Sequence, residues 1–224
     1  MKVKLLLFVT ALSGLAATSA HAADAKILFA YTQRAADLNG GSANLQSKVN
    51  SALSTCNQVH LNTFQGVNYV HWNKVGWYKT SGLSDNRSGD SILNDLSNNV
   101  GGANTAAHNA GANLVALTAD TTDVGGIAWE PGQHSVVDAQ WPQWEFYSHE
   151  IGHNYNGDHD QGLCWSCNGS SYRTVMKHNY CGGTTIGYYT NPSVNTRCRY
   201  IGDSTHNNAQ RIKDIRWTRS NTYF

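Results

Sequence analysis

Thirteen residues, SHEIGHNYNGDHD at 148–160, carry the side chains best able to do chemistry. His149 and His153 lie four apart, which on a helix puts both imidazoles on one face about one turn apart. That spacing lets them grip one zinc ion at about 2.0–2.1 Å each. Glu150 sits beside the first of them, where its carboxylate reaches a water on the metal rather than the metal itself. His159 follows after the chain has room to turn at Asn156-Gly157, bringing a third imidazole round. Three protein ligands leave a fourth position for water, the pattern of catalytic rather than structural zinc. The residues therefore predict one catalytic Zn2+ held by His149, His153 and His159, with Glu150 as general base of a hydrolysis.

The run His149-Glu150-x-x-His153-x-x-Asn156-x-x-His159-Asp160 resembles the extended zinc signature of the metzincin metallopeptidases. The Asp directly after the third His is similar to the adamalysin/reprolysin-like branch. The resemblance implies a secreted zinc endopeptidase acting on protein or peptide, with a Met-turn at Met176 beneath the metal and Asp160 bonded to that turn. It implies that the segment Gly126-Ile127-Ala128 pairs with extended substrate, where the sequence alone equally allows an ordinary edge strand, and that Tyr188 and Tyr189 wall a specificity pocket, where they can equally be core residues. In some branches the residue two after the Met is a Tyr that stabilises the transition state. Here that place holds His178, with Tyr180 its rival. The family usually has Gly where this chain has Asn156, the non-Gly residue that best tolerates a left-handed turn. A second class of function is a secreted zinc-containing binding module without turnover. Glu150 argues against it, because structural zinc has no use for a general base.

These residues need a scaffold, and the rest of the chain predicts an α/β (α+β) one. Segments 26–32 (KILFAYT) and 113–119 (NLVALTA...) are compact apolar runs that read as buried strands. Ser42 reads as the cap of a helix over 43–58, and 67–78 as a strand or a hairpin around Gly76. Asp90 reads as the cap of a short helix ending near Gly101-Gly102, and 125–129 as a Gly-led edge strand stopped by Pro131. Pro142 opens the helix that carries His149, Glu150 and His153, and a last helix spans 207–217. Strands alternating with helices indicate a sheet covered by helices. With the resemblance, the expectation is a metzincin-like single domain: a twisted mixed sheet, a zinc-binding active-site helix and a disulfide-stapled C-terminal part.

Lys2 and Lys4 precede an apolar run at 5–9, and Ala20-His21-Ala22 fits a small-residue cleavage site. Residues 1–22 thus read as a signal peptide and 23–224 as the catalytic domain, exported to the extracellular space or periplasm. A first strand so close to Ala22 leaves no room for a zymogen's pro-segment. Export puts Cys164, Cys167, Cys181 and Cys198 in an oxidising compartment as disulfide staples, with three pairings open. Cys56 shares a helical face with Leu45, Val49 and Ala52 and reads as a buried free thiol. Lys+Arg 16 against Asp+Glu 15 gives a net charge of +1, no footprint for nucleic acid or an anionic membrane. A monomer that stays off the membrane after signal cleavage is expected. His60, His71, His108, His134 and His206 have no ligand spacing and read as surface or satisfied core residues.

Overall fold

In the computed structural model, β1 (Ala23–Tyr31) is buried on both faces, as a strand with two parallel neighbours must be. The structure describes residues 23–67, 69–177 and 182–224. The expected signal peptide, His178, Tyr180 and Cys181 lie outside the described residues. After β1 come α1 (Gln33–Leu38), α2 (Ser42–Phe64), β2 (Val70–Lys79), α3 (Gly89–Ser97) and α4 (Ala103–Asn109). Next follow β3 (Leu114–Ala119), β4 (Gly126–Ala128), β5 (His134–Asp138) and α5 (Trp144–Asn154). The C-terminal part holds β6 (Cys164–Cys167), β7 (Ser170–Arg173), β8 (Thr184–Thr185), β9 (Asn191–Thr196), β10 (Arg199–Ile201) and α6 (Asn208–Ser220).

The main sheet has the order β2-β1-β3-β5-β4. Four strands are parallel, and β4 runs antiparallel along β5 at the edge, so the sheet is mixed. Side chains alternate across it. Ile27, Phe29, Leu114 and Ala116 face a core shared with α2, α5 and α6, while Leu28, Ala30, Val115 and Leu117 face α3 and α4. Helices on both faces make this an α/β layered fold, in agreement with the expected class.

Several local expectations are corrected. α2 extends to Phe64, and its N-cap is Gly41, which has no side chain to cap with; Ser42 is already helical. Of the two alternatives for 67–78 the strand is found, as Val70–Lys79, with Val75 the extra residue between the Ile27–Lys74 and Leu28–Gly76 pairs. The cap of α3 is Ser88, whose side chain accepts from the Ser91 amide. Asp90 is instead in the first turn, where its charge favours the helix dipole.

Beyond α5, the cysteine-rich stretch forms two small sheets, β6-β7-β8 and β9-β10. β6 and β7 turn at Asn168-Gly169, both with positive φ, the turn chemistry that matches strand twist. The Cys167–Cys198 disulfide, with Cα atoms 5.9 Å apart, ties this hairpin to the turn between β9 and β10. Closing 31 residues in this way stabilises the fold by about 2–4 kcal/mol. Cys164 is disulfide-bonded as well. Cys56 is a buried free cysteine, as expected. Among the described residues no helix is long and apolar enough to cross a membrane.

Candidate metal centre

α5 works through two opposite stripes. Tyr147, Ile151 and Tyr155, four apart, are buried in the core. Burying Ile151 alone is worth roughly 1.5–3 kcal/mol. The Tyr147 hydroxyl meets Thr118 of β3 at 2.6 Å, and the Tyr155 hydroxyl meets Ser220 of α6 at 3.0 Å. With that stripe pinned, His149 and His153 project from the other side of the helix.

The chain then turns sharply. The Gly157 amide donates to Gly152 O at 2.8 Å and the Asn156 amide to His153 O at 2.8 Å. This closes a Schellman end with Asn156 in the left-handed position at φ 67°. Asn156 thus does what a Gly would do there. Asp158 caps the 3-10 turn at His159–Gln161 by accepting from the Asp160 amide. Asn208 of α6 holds Asp158 from both sides, at 2.8 Å to its amide and 3.1 Å to its carbonyl.

This turn delivers His159 to the other two imidazoles. The three Nε2 atoms form a triangle of 2.7 Å (His149–His159), 3.0 Å (His153–His159) and 3.2 Å (His149–His153). His149 Nδ1 donates to Val175 O at 2.8 Å and His153 Nδ1 to Gly157 O at 2.7 Å. A carbonyl only accepts, so both protons sit on Nδ1, and in the neutral rings both Nε2 lone pairs point inward. Lone pairs so close repel unless a cation lies between them. These three nitrogens would together hold one such ion. The donor set therefore fits zinc, a metal that imidazole suits.

Glu150, next to His149 on α5, is buried, with Gly126 of β4 against its carboxyl. Burial pushes its carboxyl well above the usual carboxylate range. A Cβ on Gly126 would stand 2.6 Å from Glu150 Oε1, so only glycine allows the edge strand this close. Ile127 and Ala128 continue that edge, half-buried, paired with β5 on one side only.

Met176 is buried under the site. Its sulfur would lie 2.7 Å from a Cβ on Gly152, which stands between His149 and His153 near the end of α5. The turn around it closes with the Lys177 amide donating to Thr174 O at 3.0 Å, and it presents the Val175 carbonyl that orients His149. Asp160, by contrast, is exposed, and no side-chain hydrogen bond joins it to the described part of that turn. Tyr189 is fully buried, and its hydroxyl donates to Ser148 O at 2.6 Å; it is core beneath α5, not a pocket wall. Tyr188 is half-buried against Ile186, Val194 and Ile201.

Three contributors had no local signal in the sequence: Glu130, Asn208 and Arg211. They approach the site from segments far from 148–160 and become visible only in the fold. His60 also differs from expectation. It is fully buried beside Trp72 and Tyr189, and neither ring nitrogen has a hydrogen-bond partner among the described residues.

No family model matches the chain, and no curated protein matches it. Among solved structures, one described as a chaperone–substrate complex is similar with a TM-score of 0.74 at 14% identity. The match covers 91% of this chain and 36% of that one, so the chain spans little more than a third of that neighbour's length. At this identity the likeness concerns the fold alone.

Proposed function

We propose that residues 23–224 are a secreted zinc-dependent endopeptidase of the metzincin type, in the adamalysin/reprolysin-like branch. The observation that carries this reading is the triangle of three Nε2 atoms, with the buried Glu150 next to His149 on α5. His149, His153 and His159 would hold the ion. When bound, zinc supplies a Lewis acid that polarises a carbonyl and lowers the pKa of water to about 7. Glu150 takes a proton from the attacking water at its carboxylate and returns it to the nitrogen of the leaving amine. The free edge of β4 holds an extended peptide by main-chain hydrogen bonds, which brings the scissile bond past Glu150. The Val175 and Gly157 carbonyls keep the two helix imidazoles in the ligating tautomer. The disulfide between Cys167 and Cys198 supports an oxidising destination.

A binding module that keeps zinc only for structure explains less. Among the described residues no hydrogen bond engages the Glu150 carboxyl, and Gly126 is kept bare for it. The test is cleavage of a peptide library by the wild type beside Glu150→Gln, with metal content measured on both. Cleavage lost with one zinc retained supports the peptidase, and zinc binding with no cleavage by the wild type rejects it.

A further inference from the structure

Glu130 lies two residues beyond the end of β4 and outside the ligand set. Its carboxylate bridges two elements. Oε2 stands 3.2 Å from His153 Nδ1, and Oε1 accepts from Arg211 Nη2 of α6 at 3.1 Å. Arg211 also donates from Nε to Asn156 O at 2.7 Å and from Nη2 to Asn156 Oδ1 at 3.2 Å. The same Nη2 lies 3.6 Å from Asp158 Oδ2. One guanidinium therefore reaches the acceptor beside the second candidate ligand and the left-handed turn that leads to the third.

We propose that Glu130, Arg211 and Asn156 form a positioning network that sets the orientation and basicity of His153 and the approach of His159. The inference rests on the reading of the three histidines as a zinc site. His153 Nδ1–H already has the Gly157 carbonyl. A carboxylate as second acceptor puts negative charge behind the ring, which makes the opposite nitrogen a stronger donor to a cation. Arg211 fixes where that carboxylate stands. Its planar fork takes both the carbonyl and the side-chain oxygen of Asn156, and a glycine at this left-handed position would offer only the first. Glu130 and Arg211 are each about one-third exposed, and an ion pair so placed adds little to folding. Its effect falls on the ligand geometry instead.

The test compares the wild type with Arg211→Gln, Glu130→Gln, the double variant and Asn156→Gly, each as the full mature chain. Zinc affinity is read by competition with a chromophoric chelator, and geometry by the visible spectrum of the cobalt(II) form. Each of the first two variants is expected to weaken zinc binding about tenfold to a hundredfold and to shift the cobalt spectrum. The double variant is expected to be no weaker than the weaker single, because both act through one chain of contacts. Asn156→Gly, which keeps the turn unstrained, is expected to give a smaller loss in the same direction. Wild-type affinity in both singles, or fully additive losses with an unchanged cobalt spectrum, overturns the network while leaving the zinc site standing. A wild type that binds no zinc overturns both.

Discussion

Gly126 and Glu150 touch: a Cβ built on the glycine would fall 2.6 Å from Oε1 and 2.8 Å from Cδ of the carboxyl. The edge strand proposed to hold an extended peptide is thus the same strand that walls the proposed general base. In that reading binding and proton transfer share one contact, and its tolerance is smaller than a methyl group.

Gly126→Ala is therefore expected to displace Glu150 and leave the three imidazoles in place. Misplacement of a catalytic group by about 1 Å can cost about 10²-fold. Steady-state cleavage should show kcat at least tenfold lower with zinc content unchanged. Wild-type kcat in this variant would mean that Glu150 is not confined by β4.

Removing one imidazole should remove the metal. In His149→Ala or His153→Ala two nitrogens remain, too few to hold zinc as the three-ligand sites of catalytic zinc do. Metal analysis after gel filtration is expected to show one zinc per chain in the wild type and almost none in either variant. A bound ion also stabilises the state that binds it, so a chelator should lower the Tm of the wild type and barely move that of His149→Ala.

Glu150→Gln separates binding from proton transfer. The amide keeps the shape of the carboxyl and cannot take a proton, so kcat is expected to fall by about 10²–10⁴-fold. Zinc content should stay at one per chain. Loss of the metal would show that Glu150 acts as a ligand rather than as a base.

The centre of this site was legible in the sequence because its logic is local. His149 and His153 are one helical turn apart, Glu150 adjoins them, and the turn at Asn156 needs a residue that tolerates positive φ. The strands at the middle of the sheet were legible for a similar reason, since burial on both faces leaves the continuous apolar runs of β1 and β3. What could not be read depends on distance along the chain. Glu130 and Arg211 are 81 residues apart, and nothing in either neighbourhood announces the pair. α1 and α4 are too short to display a helical period, and only two residues of each are buried. The β6–β7 hairpin did carry a signal, Asn168-Gly169, overshadowed by the cysteines on either side. Tyr189 shows the limit of composition, since a tyrosine near a site can equally be a floor beneath it.

His60 should make the fold sensitive to acid. It is enclosed by Trp72, Tyr189 and Phe64 at ring distances of 4.7, 5.2 and 5.9 Å, and burial pushes its pKa down from 6.5 to about 3. His71, the other ionisable group acting on it, contributes to that lowering. The sign follows from which state binds the proton. Below about pH 6.5 the unfolded chain protonates this imidazole and the folded chain does not. The contribution to stability is therefore complete above about 6.5 and is lost as the pH falls toward 3, at up to about 1.4 kcal/mol per pH unit. His60→Phe removes the titration and two buried nitrogens that lack partners among the described residues. At pH 7 the variant is expected to be no less stable than the wild type, because the ring still fills the aromatic pocket. Between pH 6.5 and 4 its denaturation midpoint should fall less steeply than that of the wild type. Parallel pH profiles for the two proteins would show that the proton reaches His60 in the folded state.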